Sequence, residues 1–377
     1  MKRIVHYLLL AAVLLGLPLG CAWVAGYDAM LADVAEIVPR CEEWADDPTR
    51  LWRMKCPFDW RVFVAMASSV VVVVVPFARR AFKGLRRFSA GSGKDSSSPL
   101  SWWGWVALTE MAVAWILAWT RFGWFAGFQR HSYAPLWAGF IVLVNALCVK
   151  RCGRSPLTDC PRRFLLLFPV SSLFWWFFEY LNRYVWNWFY VGIPGISPAE
   201  YVLTATICFS SVLPAVVSVA ALLGTFRGFR DESYENMARI DVRSPRMVAV
   251  LAALSLVGLT GIVFFPQWAY PLLWISPLMV FVLLQVLMRE RSVLDALAVG
   301  SWGVVVRFAV AALVCGLVWE TWNFYSLAKW LYNVPWVSRF HIWEMPLLGF
   351  AGYLPFGVEC AAVAAWVDGR FVSRSRR

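Results

Sequence analysis

Phe174–Pro194 reads FWWFFEYLNRYVWNWFYVGIP. Its aromatic run has the character of a membrane span, yet it holds Glu179 and Asn182. A carboxylate in mid-span costs about 2.5–3.5 kcal/mol on insertion scales, and less toward the membrane edge. Such a group is expected to turn into the bundle. The i, i+3 spacing places Glu179 and Asn182 on one helix face, which predicts a carboxyl hydrogen-bonded to its asparagine.

The arrangement returns in Val318–Pro335, VWETWNFYSLAKWLYNVP, with Glu320 and Asn323. Other features keep the same order around both copies. Pro135-Leu136-Trp137, Asn145 and Arg154-Ser155-Pro156-Leu157-Thr158-Asp159 precede the first. Pro271-Leu272-Leu273-Trp274, Gln285 and Arg291-Ser292-Val293-Leu294-Asp295 precede the second. An Arg-Phe pair (Arg163-Phe164, Arg307-Phe308) opens each glutamate-bearing span. A Trp-x-Tyr (Trp188/Tyr190, Trp330/Tyr332) and a proline (Pro194, Pro335) close it. Shared order among individually weak matches reads as an internal duplication.

Composition places the repeats in a membrane. The 377-residue chain is 60% hydrophobic and 15% charged, with a mean hydropathy of +0.62. A soluble domain is about half apolar and about a quarter charged. The runs of roughly twenty apolar residues are long enough to cross the hydrocarbon as helices. The formal charge of +12 comes from Lys and Arg in short loops between spans, as the positive-inside rule predicts, so no nucleic-acid partner is expected.

The sequence therefore predicts an all-α polytopic membrane protein of about ten transmembrane helices, the last eight forming two parallel four-helix repeats. Residues 1–88 form an N-terminal hairpin with spans at Tyr7–Ala25, read as an uncleaved helix, and Val62–Phe77. Its acidic outer loop covers 27–60. Residues 89–99 are a Ser/Gly-rich cytoplasmic linker, residues 100–230 the first unit and residues 231–377 the second. Spans of the body are expected at about 101–120, 134–149, 164–189, 201–224, 247–265, 271–288, 304–326 and 346–367. Arginine-rich loops such as Arg227–Arg246 then lie inside, which puts both termini in the cytoplasm of a bacterial inner-membrane protein. Each unit has an even number of spans and begins inside, so the repeats are parallel. Cys41 and Cys56 in the outer loop are expected to form a disulfide. Closing about fifteen residues, it would stabilise the loop by about 3 kcal/mol in the chain-entropy account.

Glu179 lies sixteen residues beyond Arg163 and Glu320 thirteen beyond Arg307. At 1.5 Å per residue that is roughly 20–24 Å from the inner boundary. Two readings of the Glu/Asn pairs compete. In one they clamp the interface between units. In the other Glu179 and Glu320 are catalytic acids that meet near a common axis. Asn182, Asn323, Trp176, Trp186, Trp319, Trp322, Tyr190 and Tyr332 then bind substrate in an aromatic cavity suited to an apolar or cationic ligand. Glu200 and Glu344 read as helix-start carboxylates favoured by the helix dipole.

The sequence names no cofactor. It contains no Walker loop, GxGxxG, HExxH, DxxxD pair or usable GxSxG, which argues against ATP-driven transport and magnesium-dependent diphosphate chemistry. Three functions fit what is present: an intramembrane enzyme acting on a lipid or isoprenoid, a small-solute or proton-coupled transporter or channel, and a non-catalytic envelope scaffold. The expected partners are membrane lipids and an apolar small molecule. The order span acid, Trp-x-Tyr, proline is similar to that of membrane carotenoid cyclases and hydratases over about fifty residues per unit, without the paired Glu-Glu of the cyclases. That resemblance implies acid chemistry on an isoprenoid.

Overall fold

Side chains that a water-soluble protein would hide lie on the outside of this molecule. Leu173 and Val72 are each 73% exposed. In the helix that carries Val72, no residue of the most apolar stretch is buried. Hydrocarbon, not water, tolerates such a surface. The computed structural model describes residues 2–25, 58–86, 99–193 and 195–372. Among them seven helices are long and apolar enough to cross a membrane, or eight if one bent pair counts as a single span. The chain is a helical membrane protein.

The helices used below are α1 Lys2–Val24, α2 Trp60–Arg86, α3 Trp102–Trp119, α4 Tyr133–Cys152, α5 Pro161–Val185, α6 Pro198–Phe209, α7 Val212–Gly224, α8 Pro245–Phe264, α9 Ser276–Leu287, α10 Gly303–Tyr325 and α11 Tyr353–Val367. The valine run of α2 is helical despite its β-branched side chains, because a backbone in lipid must satisfy its own hydrogen bonds. The span expected at 201–224 is the single span Pro198–Gly224, with a turn at Ser210-Ser211 between α6 and α7. The span expected at 271–288 is bent by 51° between Pro266–Trp274 and α9. Prolines at 266, 271 and 277 remove backbone donors around that bend.

The centre of the bundle is α4, α5, α7, α10 and α11, where Trp137, Phe164, Phe178, Trp322, Phe308 and Phe356 are wholly enclosed. Small buried residues let α10 and α11 approach closely, among them Ala311, Ala312, Cys315, Cys360, Ala361 and Ala364. The α1 helix docks on α8 and α9. The Tyr180 hydroxyl of α5 donates to the Leu15 carbonyl of α1 at 2.8 Å.

The non-helical part decides the site. The α5 helix stops at Val185, four residues short of the expected 189, because Trp186 turns left-handed (φ 51°). The chain then forms β1, Trp188–Val191, which pairs antiparallel with β2, Lys329–Tyr332. Both Trp-x-Tyr motifs are strands, where the sequence reading had helix and loop. Trp188 faces Tyr332 and Tyr190 faces Trp330. Exchanging the two motifs maps this register onto itself, so the ribbon has a local twofold. A second small ribbon joins β3, His341–Ile342, to β4, Met345–Pro346. Cys41, Cys56, most of the acidic loop, nearly all of the linker and Pro194 lie outside the described residues.

Candidate functional site

Glu179 sits in the last two turns of α5. Its Oε1 accepts three hydrogen bonds: from Trp175 Nε1 at 3.0 Å, Trp188 Nε1 at 2.9 Å and Tyr190 OH at 2.6 Å. Trp175 is one turn back on the same helix face, whereas Trp188 and Tyr190 reach over from β1. Glu320 occupies the matching place on α10. Its Oε1 accepts from Tyr332 OH at 2.6 Å, Tyr353 OH at 3.1 Å and Trp330 Nε1 at 3.4 Å. The Trp330 indole also donates to the Tyr332 hydroxyl at 2.7 Å.

The third donor differs between the clusters. Glu179 takes it from Trp175, and the residue four before Glu320 is Gly316. A side chain there would overlap the Tyr353 ring. The missing side chain makes room for a phenol from α11, which supplies the donor an indole supplies in the first cluster. The clusters also differ in access. Glu320 is fully buried and its Oε2 has no hydrogen-bond partner among the described residues, whereas Glu179 is only partly buried.

The asparagines do not bond the glutamates, as their spacing had suggested. The Asn182 amide donates to the Trp188 carbonyl at 2.7 Å, and its Oδ1 accepts from the Asn187 amide N–H at 2.8 Å. Asn323 does the same for β2, donating to the Trp330 carbonyl and accepting from the Trp330 N–H, both at 2.8 Å. The helix has ended, and a side-chain amide continues its hydrogen bonding into the strand. Asn182 and Asn323 set the position of the Trp-x-Tyr motifs and do not line the cavity.

That cavity, of about 150 Å³, lies under the β1–β2 ribbon. Trp188, Tyr190, Trp330 and Tyr332 form one wall, with Trp175, Trp319, Tyr353 and Trp274 around them and Tyr201, Cys208 and Phe209 of α6 on one side. Arg130 and Lys329 are its charged lining residues. Phe356 packs against Phe174, Trp175 and Phe178 at 5.5–5.7 Å between ring centres, and this aromatic packing continues from the cavity wall into the bundle. The two glutamates stand one layer behind the phenols and indoles they bind. Burial pushes the Tyr190 phenol well above its usual range, and the neighbouring Glu179 charge adds to this. Burial and the Glu320 charge do the same to Tyr332. Both are hydroxyl donors at neutral pH.

Of the predicted lining, Trp319, Tyr190 and Tyr332 reach the cavity. Trp176 points elsewhere, its indole donating to Thr206 Oγ1 at 2.9 Å. Trp186 forms the left-handed turn that ends α5. Trp322 packs against Trp137 and Phe140 inside the core. Trp188 and Trp330, which the repeat marks, also belong to the site, while Tyr353, thirty-three residues beyond Glu320, carries no signal in the sequence. Glu200 lies in the first turn of α6, its N–H capped by Ser197 Oγ at 3.2 Å. Glu344 is not at a helix start: it lies between β3 and β4 and pairs with Lys329 at 2.6 Å. Comparison with protein-family models, curated proteins and solved structures finds no match for this chain.

Proposed function

We propose that this protein is an intramembrane enzyme acting on a lipid or isoprenoid, with the apolar part of the substrate held in the aromatic cavity. One observation carries the reading: two glutamates, each hydrogen-bonded at 2.6 Å to a tyrosine that lines a single cavity. Tyr190 and Tyr332 are the groups that touch substrate. Either phenol takes the proton of a substrate hydroxyl as it passes its own to the carboxylate behind it, and the carboxyl group so formed returns a proton through the same phenol when the product leaves. The indole and phenol faces stabilise positive charge developing on the substrate. Asn182 and Asn323 are positioning residues in this account. Trp319 lines the pocket, and Trp176, Trp186 and Trp322 support it from behind.

In the same reading the chain crosses a bacterial inner membrane ten times, with both termini cytoplasmic. Its last eight spans are two parallel, duplicated units that meet at the ribbon, and the twofold register of β1 and β2 supports the duplication. The transporter reading is weaker because Phe174, Phe178 and Phe356 pack where a solute path would continue into the bundle. The scaffold reading leaves the cavity unexplained.

Lipid mass spectrometry of membranes carrying wild type, Tyr190→Phe, Tyr332→Phe, Glu179→Gln or Glu320→Gln tests the proposal. Loss of a proton-transfer group lowers a rate by roughly 10²–10⁴-fold. A substrate species should accumulate and a product species vanish in the variants. Lipid profiles indistinguishable from wild type overturn the enzyme reading.

A further inference from the structure

Two cations, one from each half of the body, line a cavity that is otherwise apolar and aromatic. Arg130 precedes α4, and Lys329 begins β2, opposite Val191 at one end of the ribbon. Each is steadied by a carboxylate from its own half. Arg130 Nη1 lies 3.5 Å from Glu200 Oε1, and His131 Nε2 lies 3.8 Å from the same oxygen. Lys329 Nζ donates to Glu344 Oε1 at 2.6 Å and to the Phe324 carbonyl at 3.4 Å.

These contacts leave donors unspent. A guanidinium has five N–H groups in a flat fork, and the one Arg130 hydrogen bond among the described residues is at the long limit, 3.5 Å. Among the described residues the ammonium of Lys329 uses two of its three donors. Both side chains are partly exposed, at 31% and 25%, and both face the cavity. The donors that Glu200 and Glu344 do not take are left for a ligand or water at the cavity. A purely apolar ligand would make no use of them, and a small free anion would leave the aromatic wall empty.

We infer that the cavity takes an amphiphile with an anionic headgroup, phosphate or carboxylate, which Arg130 and Lys329 hold while the chain lies along the aromatic wall. Glu200 and Glu344 are positioning residues that hold the two cations at the cavity lining. The inference rests on the proposed reading of the cavity as a lipid site and names the class of lipid.

The test uses the full chain in phosphatidylcholine nanodiscs. The probes are phosphatidic acid and diacylglycerol bearing the same photoactivatable acyl chain, with crosslinks mapped to peptides covering 188–209 and 329–353. Phosphatidic acid should label these peptides about tenfold more than diacylglycerol at equal mole fraction. Arg130→Gln/Lys329→Gln should bring its labelling down to the diacylglycerol level. Arg130→Lys/Lys329→Arg, which keeps both charges, should retain the preference and serves as the control for folding. Millimolar inorganic phosphate should not displace the labelled lipid. Equal labelling by the two lipids in wild type overturns the headgroup inference and leaves the cavity reading standing. Labelling of neither peptide by either lipid overturns the cavity reading itself. Displacement by inorganic phosphate alone overturns the amphiphile in favour of a soluble anion.

Discussion

Tyr190 lies directly across the β1–β2 ribbon from Trp330. The phenol that donates to Glu179 and the indole that donates to Glu320 are therefore cross-strand neighbours, with Cα atoms about 4.5–5.5 Å apart in such a pair. The two carboxylate clusters are joined through eight residues of strand, and a change in one should be felt in the other.

Tyr190→Phe and Tyr332→Phe each remove the shortest hydrogen bond to a carboxylate. A buried acceptor that loses a partner costs about 1–3 kcal/mol. Each single variant should unfold at lower temperature in detergent. Because the clusters share the ribbon, the double variant should depart from additivity by about 0.5 kcal/mol or more. Strict additivity would show that the clusters are independent.

Asn182→Ala and Asn323→Ala should loosen the ribbon without touching the cavity wall. Each amide satisfies both a donor and an acceptor of strand backbone. Hydrogen–deuterium exchange at 187–191 and 329–333 should rise by at least tenfold, corresponding to about 1.4 kcal/mol of lost local stability. Protection equal to wild type would mean that strand pairing alone holds the motifs.

Gly316→Ala sits in the middle of a helix, where alanine normally stabilises by about 1 kcal/mol. Here the added methyl overlaps the Tyr353 ring, and overpacking costs about 1–3 kcal/mol. The expected net effect is destabilisation, together with displacement of the Tyr353 hydroxyl from Glu320. A raised melting temperature would sink this explanation of why a glycine stands where the first half has a tryptophan.

Gly192→Ala should be worse tolerated. Gly192 follows β1 with φ 75°, and a side chain there meets the Leu327 carbonyl, which is backbone and cannot rotate away. Left-handed strain alone costs about 1–3 kcal/mol. Poor yield of folded protein, with exchange focused on the ribbon, is the expected result.

The pH dependence has a defined sign. Burial raises the Tyr190 and Tyr332 phenols above their unfolded value of about 10. A raised folded-state value means that the stability they contribute is full below about pH 10 and is lost as pH rises beyond it. Thermal midpoints should be insensitive to these phenols between pH 7 and 9 and fall above pH 10, with tyrosinate absorbance appearing alongside unfolding. Smooth titration of every tyrosine before unfolding would contradict the buried placement.

Much of the helical frame was legible because a membrane imposes one rule on every span: apolar length with internally satisfied backbone. That rule made the valine run of α2 a helix and placed α4, α5, α8 and α10 within a few residues of their observed ends, and the span expected at 346–367 is Leu347–Val367, a 3-10 turn leading into α11. It failed where the chain leaves the helix. Trp186–Tyr190 is as aromatic as the helix before it, so hydropathy carried the span too far. The turn at Trp186 and the antiparallel partner 140 residues away were not written locally. The same limit misplaced the asparagines: i, i+3 spacing put Asn182 beside Glu179, but the strand backbone past the helix end takes its amide.

By itself the sequence determined that this is a helical membrane protein and that two aromatic segments each carry a Glu-x-x-Asn and a Trp-x-Tyr in the same order. Burial cost explains why those carboxylates stand out against an apolar background. Only the tertiary structure decided what they bind. Three donors converge on each glutamate from a helix and a strand, and for Glu320 one comes from α11, where Gly316 leaves room for Tyr353. Hydrogen bonds of this kind depend on which segments meet in space, and sequence spacing along one helix does not contain that information.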